Sequence, residues 1–194
     1  MKQQDIRTLK LLESLERDPK KTQRDLAEEL NISLGLVNSF IKRLVQKGFF
    51  KIKTIPRNRI KYILTPKGVY EKTRLTYEYI IFSLSFYKET RSKFKSIFDQ
   101  LSLQGKKRVF VIGAGELAEI ALITLQESDL SLAGIIDKAM IGKRFMGITI
   151  KDFSSLEEAS SHDIAIITRH NFENNILKLV NRYIPYANII ELDK

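Results

Sequence analysis

The stretch RVFVIGAGELAEI, Arg108 to Ile120, constrains this chain more than any other. Val109-Phe110-Val111-Ile112 is a short, unbroken apolar run, the pattern of a strand buried on both faces. Gly113-Ala114-Gly115-Glu116-Leu117-Ala118 then fits G-x-G-x-x-A and opens a helical run, ELAEIALITLQES. In such a unit the first glycine allows the turn and the second lets a ligand's phosphate approach the backbone. A small third residue lets helix and strand pack closely. A strand that needs cover on both faces, joined tightly to a helix, commits the residues around it to an α/β sheet.

The downstream residues read as the rest of that sheet. LAGIID is a second strand ending at Asp137, 22 residues beyond Gly115, where an acid can accept hydrogen bonds from ribose hydroxyls. GITI and DIAIIT read as two further strands separated by a helix over Leu156–Ala159. NFENNILKLVNRYI reads as a helix and ANIIEL as a final strand. The order β-α-β-β-α-β-α-β predicts a mostly parallel sheet flanked by helices. Ligands bind such sheets at the carboxyl ends of the strands, so the candidate ligand residues are Gly113, Ala114, Gly115, Glu116, Asp137, Thr168, Arg169 and His170. Arg169 and His170 are candidate phosphate contacts, with an ordinary surface loop as the alternative. Glu116 sets a negative charge at the helix start that would otherwise welcome a phosphate, so a ligand engages this loop by its sugar or base, or the pocket is degenerate.

The first half of the chain has a different character. Residues 1–105 hold 22 basic and 11 acidic side chains; residues 106–194 hold 11 and 12. All of the net charge of +10 therefore lies ahead of the sheet, which points to a polyanion partner for that half, a solvated basic surface being the alternative. The chain has no cysteine and two histidines, His162 and His170, which excludes a disulfide framework and leaves no metal cluster. Its polar start MKQQDIRTLK lacks a secretory apolar region, and its most apolar run, Tyr79–Tyr87, is far shorter than the roughly 20 residues of a membrane span. These features predict a soluble, cytoplasmic protein with no membrane role.

Ile6, Leu9, Leu12 and Leu15 lie three apart on one helix face that Asp18-Pro19 ends. Thr22 with Asp25 has the spacing of a capping box before QRDLAEEL. Asn31-Ile32 turns the chain, and Ser33 caps a third helix, LGLVNSFIKRLVQK, stopped by Gly48. FFKIKTI, the turn PRNR and IKYILT form a hairpin, and Pro66-Lys67-Gly68 starts another helix. Three short helices followed by a hairpin predict a winged helix-turn-helix, the third helix entering a major groove of double-stranded DNA. Val37, Ile41 and Leu44 face the core over Leu26 and Ile32, and Gly35 permits close helix approach. That leaves Ser33, Asn38, Ser39, Lys42 and Arg43 for phosphates and base edges, and Arg57, Asn58 and Arg59 at the wing tip for a minor groove. A helical protein-interaction domain is the alternative.

Between the halves, Tyr77, Ile80, Leu84, Tyr87, Arg91, Phe94, Phe98 and Leu101 alternate spacings of three and four, a heptad seam with one polar break. The seam predicts a homodimer paired through this helix; packing against the chain's own domains is the alternative, and Ile81 and Phe82 widen the apolar face. The predicted domains are residues 1–68, the winged helix-turn-helix; 69–104, the connecting and dimerisation helix; and 105–194, the Rossmann-like domain.

Two resemblances follow from these motifs. TQRDLAEELNISLGLVNSFIKRLVQKGFF with ILTPKGVYEKTRLT resembles the MarR-type winged-helix regulators associated with exopolysaccharide gene clusters, over about the first 90 residues. The more specific parts are Ile32-Ser33-Leu34-Gly35 before Val37-Asn38, and Leu64-Thr65-Pro66-Lys67-Gly68 before Glu71-Lys72. Val111-Ile112-Gly113-Ala114-Gly115, Gly134-Ile135-Ile136-Asp137 and Gly147-Ile148-Thr149-Ile150 resemble the small Rossmann-type domains of sugar-nucleotide-dependent acyltransferases and nucleotide-sugar dehydratases. The resemblances imply a transcriptional regulator of surface-polysaccharide genes that senses a nucleotide-sugar through Gly113, Gly115 and Asp137. NAD(H) is the second ligand choice, as in redox-sensing repressors of the Rex type; a C-terminal module that is only an interaction scaffold is the third reading. No Tyr-x-x-x-Lys pair and no Ser/His/Asp order is present, so the expectation is a sensor without catalytic residues.

Overall fold

The computed structural model describes residues 1–56, 59–168 and 174–191. Two compact units, Met1–Ser85 and Phe86–Lys194, divide the chain inside its longest helix.

In the first unit α1 (Gln3–Arg17), α2 (Gln23–Glu29) and α3 (Leu34–Gln46) precede an antiparallel hairpin of β1 (Phe50–Ile55) and β2 (Arg59–Leu64). Leu9, Leu12 and Leu15 of α1 are buried as their spacing predicts; Leu11 joins them, and Ile6 stays half-buried. The Thr22–Asp25 capping box forms in full, with Asp25 N donating to Thr22 Oγ1 at 3.2 Å and Thr22 N to Asp25 Oδ2 at 3.0 Å. Those bonds hold the Asp25 carboxyl below the usual carboxylate range. Asn31 turns the chain between α2 and α3 at φ 50, a left-handed conformation asparagine tolerates. Val37, Phe40, Ile41 and Leu44 of α3 then meet Leu26 in the core.

The Leu64–Gly68 segment has a physical explanation. Thr65 Oγ1 accepts from Gly68 N at 3.1 Å and donates to the Gly48 carbonyl at 2.6 Å, so it caps α4 (Pro66–Leu103) while tying that helix to the end of α3. Pro66 occupies the first helical position, where its missing N–H costs nothing. Gly68 is obligatory: a Cβ there would collide with the Phe49 carbonyl oxygen and sit 2.7 Å from Leu64 Cδ1.

The second unit holds a four-stranded, all-parallel sheet in the order β4-β3-β7-β8, built from β3 (Arg108–Ile112), β4 (Ser131–Ile136), β7 (Ile164–Ile167) and β8 (Ile189–Glu191). Side chains alternate across it. Val109, Ile164 and Ile166 pack with α5 (Glu116–Leu125) and with Phe94, Phe98 and Leu101 of α4. Phe110, Ile112, Ala165 and Ile167 pack on the other face with Leu156, Val180 and Ile184. Both faces are therefore covered, as the apolar run at 109–112 requires.

Three expectations are corrected. GITI is not a strand of the sheet: Ile148–Thr149 (β6) pairs with Arg144–Phe145 (β5) in a small hairpin, turned by Met146 and Gly147 at positive φ. Only Lys151 bridges to the sheet, at Ile136. The Leu156–Ala159 helix is a 3-10 helix over Phe153–Glu158; of the helix read in NFENNILKLVNRYI, the described residues form α6 (Asn174–Val180). Finally, the heptad seam does not run free along α4, because Phe94, Phe98 and Leu101 are buried in the second unit's own core.

Candidate nucleic-acid interface and strand-end cleft

The nucleic-acid candidates sit on α3 and the hairpin. Ser33 caps α3, its Oγ accepting from Leu36 N at 3.3 Å, and Asn38, Ser39 and Lys42 are exposed along the helix. Arg43 is held rather than free: its guanidinium lies 4.6 Å over the Phe40 ring, and Nη1 donates to Gln4 Oε1 at 3.4 Å. Gly35 does not serve a close helix approach, since a Cβ there would meet nothing within 4 Å. It leaves a bare start to the exposed helix instead. Arg57 and Asn58 lie outside the described residues; Arg59 is placed as the first residue of β2.

The register of the hairpin adds residues that the sequence pattern does not single out. Lys51 pairs with Ile63 and Lys53 with Lys61, so Lys51, Lys53 and Lys61 share one face of the wing. The other face carries Phe50 and Tyr62, buried with their rings 6.3 Å apart, edge to face. Two lysines directly opposite each other destabilise a hairpin unless something neutralises them. The K-I-K alternation at 51–53 holds the signal, but only the pairing partner reveals that Lys61 completes the face.

The second site is a cleft of about 330 Å³ lined by Ala114, Gly115, Glu116, Leu117, Asp137, Ala139, Met140 and Thr168. These come from the turns after β3, β4 and β7, all at the carboxyl ends of parallel strands. From β3 the chain goes first to β4 on one side and then to β7 on the other, so β3 marks the topological switch point where open α/β sheets leave a crevice.

Main-chain and side-chain bonds fix the cleft's wall. Gly113, at φ 105, donates to the Ile136 carbonyl at 2.8 Å. Asp137 is buried, and its two carboxylate oxygens accept from Ala114 N (3.0 Å) and Ala139 N (2.9 Å), joining the two loops. Thr168 Oγ1 lies within donating distance of the Ile112 and Gly113 carbonyls, at 3.1 and 2.9 Å, and pins the glycine turn from the other side. Gly115 caps α5 with extended backbone (φ −151, ψ −168), and a Cβ there meets no described atom within 4 Å. Neither conformation nor packing asks for glycine at 115; what its missing side chain leaves open is the cleft. The structure thus brings Gly115, Glu116, Asp137 and Thr168 together, with Glu116 exposed at the helix start. Arg169 and His170 lie outside the described residues. Among the described residues no group of His, Asp or Glu is placed to hold a metal ion, and no helix is long and apolar enough to cross a membrane.

Residues 4–51 match the family model described as winged helix-turn-helix DNA-binding. The first unit is a winged helix-turn-helix. Solved structures similar to this chain include MepR, a transcription regulator of the Staphylococcus aureus multidrug efflux pump MepA, at 19% identity over 46% of this chain and 65% of that one, with a TM-score of 0.39. The PcaV transcriptional regulator from Streptomyces coelicolor is similar at 19% identity over 50% of this chain and 74% of that one, with a TM-score of 0.41. The chain therefore spans slightly less than two thirds of the length of MepR. No curated protein matches it.

Proposed function

We propose that this chain is a cytoplasmic, homodimeric DNA-binding transcription regulator of MarR type whose second unit binds a small nucleotide ligand. The observation that carries the DNA half is the winged helix-turn-helix itself, with Asn38, Ser39 and Lys42 exposed on α3 and three lysines on one face of the wing. The observation behind the ligand half is the cleft at the switch point, with a glycine at 115 that protein packing does not need. The ligand class we favour is a nucleotide-sugar and the regulated genes those of surface-polysaccharide synthesis, both on the motif resemblances described above. Asp137 already accepts from Ala114 N and Ala139 N, and since nucleotide-sugars and NAD(H) both carry a ribose, this carboxylate does not decide between them. A ligand that binds one arrangement of the dimer better than another shifts DNA affinity by that difference and no more.

The test is a thermal-shift screen against UDP-, GDP- and dTDP-sugars, NAD, NADH and CoA, followed by selection of bound fragments from random duplex DNA. A selective nucleotide-sugar shift that also changes DNA affinity supports the reading. A selective NADH shift moves the protein to the redox class. No shift with any compound leaves the second unit a scaffold, and no enriched DNA sequence sinks the regulator.

A further inference from the structure

The start of α3 carries a side chain that its own core does not use. Val37, Phe40, Ile41 and Leu44 of that helix are exposed by 4% or less, but Leu34, its first residue, stays 40% exposed. Leu34, Asn38 and Lys42 follow one another at intervals of four, so they form one row along the helix, and all three are exposed. The row runs from an aliphatic tip, through a carboxamide, to a cation.

Beside the tip stands Gly35. A glycine inside a helix weakens it, and here neither a positive φ nor a close neighbour asks for one, since a Cβ would meet nothing within 4 Å. Ser39, one turn on, is also small and exposed. Such short side chains let the helix backbone come close to whatever this face meets. A recognition helix enters the major groove by its N-terminal residues, which touch base edges.

The chemistry of the row selects the bases. In the major groove thymine alone carries a C5-methyl group, which an aliphatic side chain can cover. Adenine presents an N6 donor and an N7 acceptor, the match for an asparagine carboxamide. Guanine is most often read by a basic fork, yet α3's one arginine is turned elsewhere: Arg43 lies over the Phe40 ring and donates to Gln4 Oε1. Four helical residues climb about 6 Å. That is just under two base-pair steps of about 3.4 Å, so the tip and the carboxamide reach neighbouring positions of one site.

We propose that Leu34 and Asn38 are the specificity-determining residues of the DNA interface, Leu34 packing on a thymine methyl and Asn38 making a bidentate contact to an adenine within two base pairs of it. This rests on the DNA-binding reading above and goes beyond it by naming the bases; it depends on neither the dimer nor the nucleotide ligand.

The probe is the duplex that the full-length wild type enriches from a random pool. Each thymine of that sequence is replaced in turn by deoxyuridine, which removes only the methyl, and each adenine by 7-deazaadenine, which removes only the N7 acceptor. Anisotropy titrations then compare wild type, Leu34→Ala and Asn38→Ala. Wild type is expected to lose roughly fourfold in affinity at one thymine. It should lose about tenfold at one adenine within two base pairs of that thymine. Leu34→Ala should erase the first penalty and keep the second, and Asn38→Ala should do the reverse. Circular dichroism checks that the variants fold, and the wild-type penalties stand without any variant. An enriched sequence that tolerates every such replacement overturns the proposal. So does a uracil penalty that survives Leu34→Ala, or a Leu34→Ala protein that weakens on thymine and uracil duplexes alike. A sequence read at G·C pairs alone sinks these two roles and leaves the DNA-binding reading standing; a pool from which nothing is enriched sinks both.

Discussion

Gly115→Val separates the stability of the second unit from the use of its cleft. Gly115 has extended backbone that any residue adopts, and its Cβ direction is open among the described residues, so nothing must move to admit the side chain. Replacing glycine at a compatible conformation stabilises by about 0.4–1 kcal/mol through the unfolded chain. Valine is a poorer helix N-cap than glycine, which costs roughly 0.5 kcal/mol. The two nearly cancel, so the second unit's melting temperature should stay within about 3 °C of wild type. Ligand binding should fare differently. A ligand at about a hundred times its dissociation constant stabilises by ~2.7 kcal/mol, on the order of 10 °C for a unit of this size. In the variant that shift should vanish, because two methyl groups stand where the ligand lies against the backbone. Gly113→Ala is the contrast: at φ 105 even a single added methyl group costs about 1–3 kcal/mol and lowers the melting temperature of the ligand-free protein. Differential scanning calorimetry with and without ligand reads all four quantities. A Gly115→Val protein that melts much earlier would refute the loop geometry; one that melts normally and keeps its full ligand shift would move the site elsewhere.

Replacing Lys53 and Lys61 by glutamine should act with opposite signs on two readouts. The wing should gain a little stability as the facing charges go, while DNA binding weakens and the slope of log affinity against log salt falls by about 1 for each phosphate left without its lysine. Anisotropy titrations across a salt series measure the slope, and an unchanged slope removes the wing face from the interface. Gly68→Ala should destabilise the first unit by about 1–3 kcal/mol despite alanine's better helix propensity, because the Phe49 carbonyl would have to move; a stabilised variant in urea titration refutes that contact. The Glu29 carboxyl lies below its ordinary value of 4.5 because it accepts from Lys21 Nζ and Ser14 Oγ, both at 2.6 Å. Its folded pKa is thus below its unfolded one, so its contribution is present above pH 4.5 and lost as pH falls below that value and through the folded pKa. Glu29→Gln should flatten the acid limb of stability against pH, and an unaltered acid limb would show that this contact does not matter.

The capped helix starts of the first unit and the need of the 109–112 run for cover are legible in the sequence alone, because each follows from residues within a turn or two of one another. Thr22 with Asp25 and Ser33 with Leu36 N are caps formed over three residues, and the run 109–112 asks for cover on both faces wherever that cover comes from. What lies beyond its reach depends on partners far along the chain. Ile148 reads as a strand residue of the sheet, but β4 is an edge of that sheet and GITI pairs back on Arg144–Phe145. Asp137 reads as a ribose acceptor, and the fold brings Ala114 N to its carboxylate from 23 residues away. Lys61 joins Lys51 and Lys53 only through the hairpin register. The seam on α4 shows the division most plainly. Its spacing is uniform from Tyr77 to Leu101, yet its last three apolar residues have a sheet to cover and its first four do not. Periodicity says that a face must be buried; only the tertiary structure decides against what, because burial is satisfied by whichever apolar surface the chain brings there.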